Sequence, residues 1–212
     1  MVVIFDPEGV LTQTASCRFG AWKEMAREQG IVYNEAMDAQ LQGMEPETRL
    51  QSILSRAHRG YSAAERLALL ARQDDLFDDL LLKLGEGAMR PDALKMVKAL
   101  HKQGIALGAV MTDGMPGRVL RGLPLWRYFA AISRKEEISA QLADVQLRLC
   151  VPPDQCLLVT AYPGSAKIAR GVGMQALLCG REEENDVILQ QIMAILPDFA
   201  DQKYENGGFY AG

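Results

Sequence analysis

Val2-Val3-Ile4-Phe5 is an unbroken apolar run that stops at an acid, Asp6, and is followed at once by Pro7-Glu8-Gly9. A short apolar run bounded by turn residues reads as a buried strand, so the run places Asp6 where that strand ends. Further runs of the same kind follow at Ile105–Met111, Tyr128–Ile132, Cys156–Thr160 and Met174–Cys179, and stretches of helical period separate them. Strands that alternate with helices fold as a parallel sheet covered on both faces, so a doubly wound (Rossmann-like), mostly parallel α/β core is predicted. In such sheets ligands bind beyond the carboxyl ends of the strands. Asp6, Glu8, Thr112, Asp113 and Thr160 all stand at or just past such ends.

Between the first two runs the pattern changes. From Ala15 to Gly85 apolar residues recur with helical period and no strand pattern appears. Phe19, Trp22, Met25 and Ala26 share one face, and Ser62-Ala63-Ala64-Glu65 reads as a capping box ahead of Leu67, Leu70, Phe77, Leu80, Leu81 and Leu84. The expected division is an α/β core over residues 1–14 and 86–212, with a helical cap domain inserted over 15–85. With 212 residues, 49% of them apolar, the chain is long enough for one sizeable core and a smaller satellite.

The net charge of −4 and the absence of a basic stripe argue against nucleic acid or an anionic membrane as partner. The apolar start has no charged leader and no apolar span reaches 18 residues, so the cytoplasm is the expected location. Cys17, Cys150, Cys156 and Cys179 lack metal-site spacing, and all four are expected to be small core residues. Pro91 is expected to open the helix that carries Leu94, Val97 and Leu100. The tail, with Phe209 and Tyr210, is expected to be docked or disordered.

The segment Asp6-Pro7-Glu8-Gly9-Val10-Leu11-Thr12-Gln13-Thr14 resembles motif I of the haloacid dehalogenase (HAD) superfamily, DxDG(V/T)(L/I)xD(T/S). The cap position, with Phe19-Gly20-Ala21-Trp22-Lys23 and Leu41-Gln42-Gly43, is similar to the β-phosphoglucomutase-like branch, and the likeness extends over roughly residues 1–180. The resemblance implies Mg²⁺-dependent phosphoryl transfer through an aspartyl-phosphate on a small phosphorylated metabolite such as a sugar phosphate. Asp6 falls on the nucleophile and Glu8 on the general acid/base, one methylene longer than the family's Asp.

Thr112 falls on the motif II hydroxyl that bonds the transferring phosphoryl group. Arg18 occupies the place of a family His, and Pro46 lies near a phosphate-binding Arg. Arg49 either restores that charge or is a solvated helix-face residue. Motif III's Lys stretch is missing, and Lys135 is the nearest substitute. Gly164-Ser165, Ile168-Ala169 and Gly173-Met174 follow the spacing of motif IV, yet Thr160 and Ala161 replace its pair of metal-binding acids. Asp6, Glu8 and Asp113 are then the candidate Mg²⁺ ligands, Asp113 as the replacement. Two outcomes stay open, an enzyme with weakened or lost turnover and a non-catalytic relative that binds a phosphorylated ligand or a protein partner. In either, the site residues are expected to converge in a cleft between core and cap, with anions held at the helix N-termini after Thr112 and Thr160.

Overall fold

The computed structural model describes residues 1–42, 44–112 and 116–205, the last of these from 197 onward as backbone. The chain divides into two compact units, Met1–Gln13 with Glu86–Gly212, and Thr14–Gly85.

In the first unit the apolar runs form β1 (Val2–Phe5), β2 (Ala106–Ala109), β3 (Phe129–Ile132), β4 (Cys156–Thr160) and β5 (Gln175–Leu178). They make one parallel sheet in the order β3-β2-β1-β4-β5. Both α/β layers and strand direction are therefore those expected from the alternation of runs. β1 lies at the centre, where the strand order reverses, and all four of its residues are buried. β1 and β4 run in register, with Phe5 beside Val159, so Asp6 and Thr160 emerge from neighbouring strands at the same edge. A side chain buried on both faces of a sheet must be apolar, which explains why these runs do not alternate.

The helices of this unit are α5 (Ala93–Lys102), α6 (Pro116–Leu120), α7 (Ile138–Leu149), α8 (Pro163–Gly171) and α9 (Asn185–Glu205). Val145 of α7 and Ala169 of α8 join Ile4, Leu142 and Leu158 in one core cluster. The close approach of α7 to β2 requires Gly108, because a Cβ there would lie 2.4 Å from Val145 Cγ1. Pro91 does not open α5; the helix starts at Ala93, after Asp92 in a left-handed conformation with φ of 58°.

The second unit contains α1 (Ala15–Glu28), α2 (Glu35–Gln40), α3 (Pro46–Leu54) and α4 (Ala63–Leu84). Trp22, Met25, Leu50 and Ile53 form the centre of its own core. The capping box forms as the sequence indicates, with Glu65 N–H donating to Ser62 Oγ at 3.2 Å and Ser62 N–H to Glu65 Oε2 at 2.7 Å. Among the described residues no helix is long and apolar enough to cross a membrane.

Candidate functional site

The turn after β1 is built around one carbonyl. Pro7 C=O accepts from the N–H groups of Val10, Leu11 and Thr12, and Gly9 N–H donates to Thr12 C=O at 2.9 Å. Gly9 has φ of +81°, and a Cβ there would come within 2.8 Å of Ala161 Cβ. Only glycine combines that φ with so close an approach at no cost. Arg90 locks the turn from outside: its guanidinium donates to Gly9 C=O and, at 2.6 Å, to Glu183 C=O. Glu8 is buried on this turn, and its Oε2 accepts the Thr12 hydroxyl at 3.2 Å.

Asp6 is fully buried, and its backbone N–H still donates to Val159 C=O as an extension of β1. Its Oδ2 accepts the Thr112 hydroxyl from beyond β2 and, at 3.2 Å, the Thr160 hydroxyl from the end of β4. Ser165, in the first turn of α8 and 1% exposed, places its Oγ 2.6 Å from Thr112 Oγ1. Thr160 Oγ1 also accepts Tyr162 N–H at 3.0 Å, which fixes the entry to α8. Three strand ends and one helix start thus bring Asp6, Thr112, Thr160 and Ser165 into one bonded cluster. The two hydroxyls satisfy the Oδ2 of this buried carboxylate.

The other candidates belong to other segments of the chain. Lys135 is exposed on the loop between β3 and α7, its N–H donating to Ser133 Oγ at 3.2 Å. Arg18 lies in α1, in the other unit. Arg49 is not the solvated helix-face residue of the alternative reading: it is 6% exposed, its guanidinium donates to Asp38 and, at 2.7 Å, to the Tyr33 hydroxyl, and it lies 5.1 Å from the Trp22 ring centroid. A long side chain on an amphipathic helix looks solvated in sequence unless its partners, here in two other segments, are known. Asp113 and Gly114 lie outside the described residues, as do Phe209 and Tyr210. The helix following Thr112, α6, is only Pro116–Leu120, whereas α8 after Thr160 runs for nine residues and presents first-turn N–H groups of Gly164 and Ser165. Cys150 is exposed, not a core residue; it ends α7 with φ of 53°. Cys156 and Cys179 are buried, which pushes their thiols up to about 11 and about 12 and makes them poor thiolate ligands.

Mg²⁺ takes oxygen ligands in near-octahedral array and is usually held by converging carboxylates. At the end of β4 this chain offers a neutral hydroxyl, already bonded on both sides, and then the methyl of Ala161 packed against Gly9. Among the described residues no three His, Cys, Asp or Glu side chains gather as a metal-binding group. Among the described residues, then, the end of β4 supplies no carboxylate for a hard divalent cation, and Asp113, one of the expected ligands, lies outside them. Sequence placed Ser165 only at motif IV spacing and did not single out Arg90: a Ser in the first turn of a helix and an Arg ahead of a Pro carry no signal of burial or of a carbonyl clamp.

No protein-family model matches the chain. It is 25% identical over 214 residues to the β-phosphoglucomutase of Bacillus subtilis, covering 96% of this chain and 95% of that protein. Among solved structures, the β-phosphoglucomutase of Clostridium difficile superposes with a TM-score of 0.72 at 16% identity, over 92% of this chain and 98% of that one. CbbY from Rhodobacter sphaeroides, in complex with xylulose-(1,5)bisphosphate, gives a TM-score of 0.69 at 19% identity over 87% and 89% of the two chains.

Proposed function

We propose, from the premise that the chain belongs to the HAD superfamily in its β-phosphoglucomutase-like branch, that it binds a small phosphorylated metabolite of the sugar-phosphate class at the Asp6 edge and has weak or no Mg²⁺-dependent turnover. Two of the relatives are β-phosphoglucomutases, and CbbY is seen with xylulose-(1,5)bisphosphate. The observation that carries the reading is the pair of hydroxyls on Asp6 Oδ2. Its Oδ2 is occupied by the Thr112 and Thr160 hydroxyls, and Thr160 stands where the family's metal-binding acid belongs.

In the inherited reaction Asp6 is the nucleophile, Glu8 moves the proton of the acceptor or leaving oxygen, and Thr112 donates to a phosphoryl oxygen. Phosphoryl transfer rests almost wholly on positioning and charge neutralisation. When bound, Mg²⁺ supplies the neutralising charge in that chemistry. Here the chain's own residues keep the positioning part: the hydroxyls of Thr112, Thr160 and Ser165 orient the carboxylate, and the first-turn N–H groups of α8 offer donors to an anion. What the described residues lack is the acid pair that would recruit the cation. A non-catalytic phospho-ligand binder is the same site with the transfer step removed.

Titration of ¹⁵N-labelled protein with inorganic phosphate, with no metal added, tests the binding half. The expected result is a saturable shift of the Thr112 and Gly164 amides at millimolar phosphate or below. Unchanged amides across that range would remove any phosphate-binding role. Rapid hydrolysis of a generic phosphate ester that depends on Mg²⁺ and is abolished by Asp6→Asn would instead restore the full enzyme reading.

A further inference from the structure

Beyond the last paired residue of β2 the chain loses its neighbour on one side. Ser133 N–H donates to Ala109 C=O at 3.1 Å, and past Ser133 the chain enters the loop that carries Lys135. Successive residues of a strand turn their N–H and C=O groups to opposite neighbours. Val110 still donates to Phe5 C=O on the β1 side, so Met111 faces the side that β3 has left. A buried backbone pair without partners would be costly, so the Met111 peptide needs one.

Gln141, in the first turns of α7, supplies that partner. It is fully buried, its Oε1 accepts Met111 N–H at 2.7 Å, and its Nε2 donates to Met111 C=O at 2.9 Å. The carboxamide thus reads the Met111 peptide as a neighbouring strand would. The second Nε2 hydrogen goes to Glu136 C=O at 3.0 Å. One side chain therefore ties the end of β2 to the loop between β3 and α7, and the residue after Met111 is Thr112, whose hydroxyl meets Asp6 and Ser165.

We propose that Gln141 is a positioning residue of the Asp6 site: by clamping the Met111 peptide it sets the Thr112 hydroxyl on the Asp6 carboxylate. The inference deepens the phosphate-binding reading and rests on it for its ligand. A glutamine in an amphipathic helix ordinarily points to water, so three satisfied hydrogen bonds at zero exposure mark a side chain chosen for its two-sided donor and acceptor pattern. Glutamate keeps the shape and the acceptor but removes both donors and sets carboxylate oxygens against two carbonyls.

The test is a double-mutant cycle on phosphate affinity with Gln141→Glu and Thr112→Val, read by NMR, together with the ¹³C resonance of the Asp6 carboxyl in the ligand-free proteins. Gln141→Glu should weaken inorganic phosphate about tenfold. The double variant should be no weaker than Thr112→Val alone, because Gln141 acts through Thr112. The Asp6 carboxyl resonance should move in the same direction in both single variants. Gln141→Met, which brings no charge into the buried position, repeats the comparison should the glutamate variant not fold. Additive losses, or an Asp6 resonance unmoved while the Met111 amide loses its exchange protection, would overturn the proposal and leave Gln141 a structural residue. A wild type that ignores phosphate would remove the phosphate-binding reading alone, and the carboxyl resonance would still decide the role of Gln141.

Discussion

Arg49 and Asp6 are both buried charged residues, at 6% and 0% exposure, and the two units treat them differently. In the helical unit Arg49 meets the opposite charge of Asp38, the Tyr33 hydroxyl and the face of Trp22. In the α/β unit Asp6 meets the neutral hydroxyls of Thr112 and Thr160, with Ser165 behind them. Burying a charge costs several kcal/mol unless paired or hydrogen-bonded groups compensate it. A charge compensated by a counter-charge from its own unit is a fastening. A carboxylate held by hydroxyls at a sheet edge sits beside donors that can turn to the acceptor oxygens of a ligand, which is the mark of a site.

The comparison breaks most visibly at Asp38. Asp38→Ala leaves the Arg49 guanidinium buried without its carboxylate and should cost about 3 kcal/mol, read as a lowered urea midpoint. A loss below about 1 kcal/mol would mean that the pair behaves as an exposed ion pair, and that Arg49 is available for other work. Gly9→Ala should come next, at about 2 kcal/mol, because it adds a Cβ at φ of +81° and 2.8 Å from Ala161 Cβ. Ala161→Gly on the same background should recover the contact part and leave the conformational part.

Thr160→Val sharpens the contrast by removing a neutral partner instead of a charged one. It takes a hydroxyl from Asp6 and an acceptor from Tyr162 N–H, and about 1 kcal/mol is expected, clearly less than for Asp38→Ala. Equal losses would erase the distinction between fastening and site. The smallest effect at neutral pH concerns Tyr33. Burial, more than its bonds to Arg49 and Asp38, pushes its hydroxyl from 10.0 up to about 12. A folded value above the unfolded one favours the protonated form in the folded state. Its contribution is therefore full below pH 10 and is lost as pH rises through about 12. Tyr33→Phe should flatten that alkaline decline in a series of urea melts; an unchanged slope would show that Tyr33 ionises alike in both states.

Much of the fold was legible because buried parallel strands leave a plain mark. Val2–Phe5 and Cys156–Val159 are apolar on every residue, as both faces of a central strand require, and the helical period of the inserted segment is continuous. The carboxyl-edge position of Asp6, Thr112 and Thr160 followed from the ends of those runs. The partners of these residues did not. Ser165, Gln141 and Arg90 act through contacts to residues far along the chain, Thr112, Met111 and Gly9, so no local pattern distinguishes them from a helix-start serine, a solvated glutamine and a surface arginine. Arg49 illustrates the same limit from the other side, since its burial depends on Tyr33 and Asp38 arriving from other elements.

The proposed functional reading turns on weak Mg²⁺ binding, and calorimetric titration of Mg²⁺ into the wild type and into a Thr160→Glu, Ala161→Asp double variant addresses it directly. Each carboxylate about 4 Å from a divalent ion is worth roughly 8 kcal/mol of gross attraction at an effective dielectric of 20, and far less after desolvation. Even so discounted, returning two acids to the end of β4 should tighten Mg²⁺ by at least about a hundredfold. The expected result is no measurable heat from the wild type at millimolar Mg²⁺ and saturable binding by the double variant. Tight binding by the wild type that disappears on Asp6→Asn would contradict it, and would make Asp113 the ligand that takes the place of the missing pair.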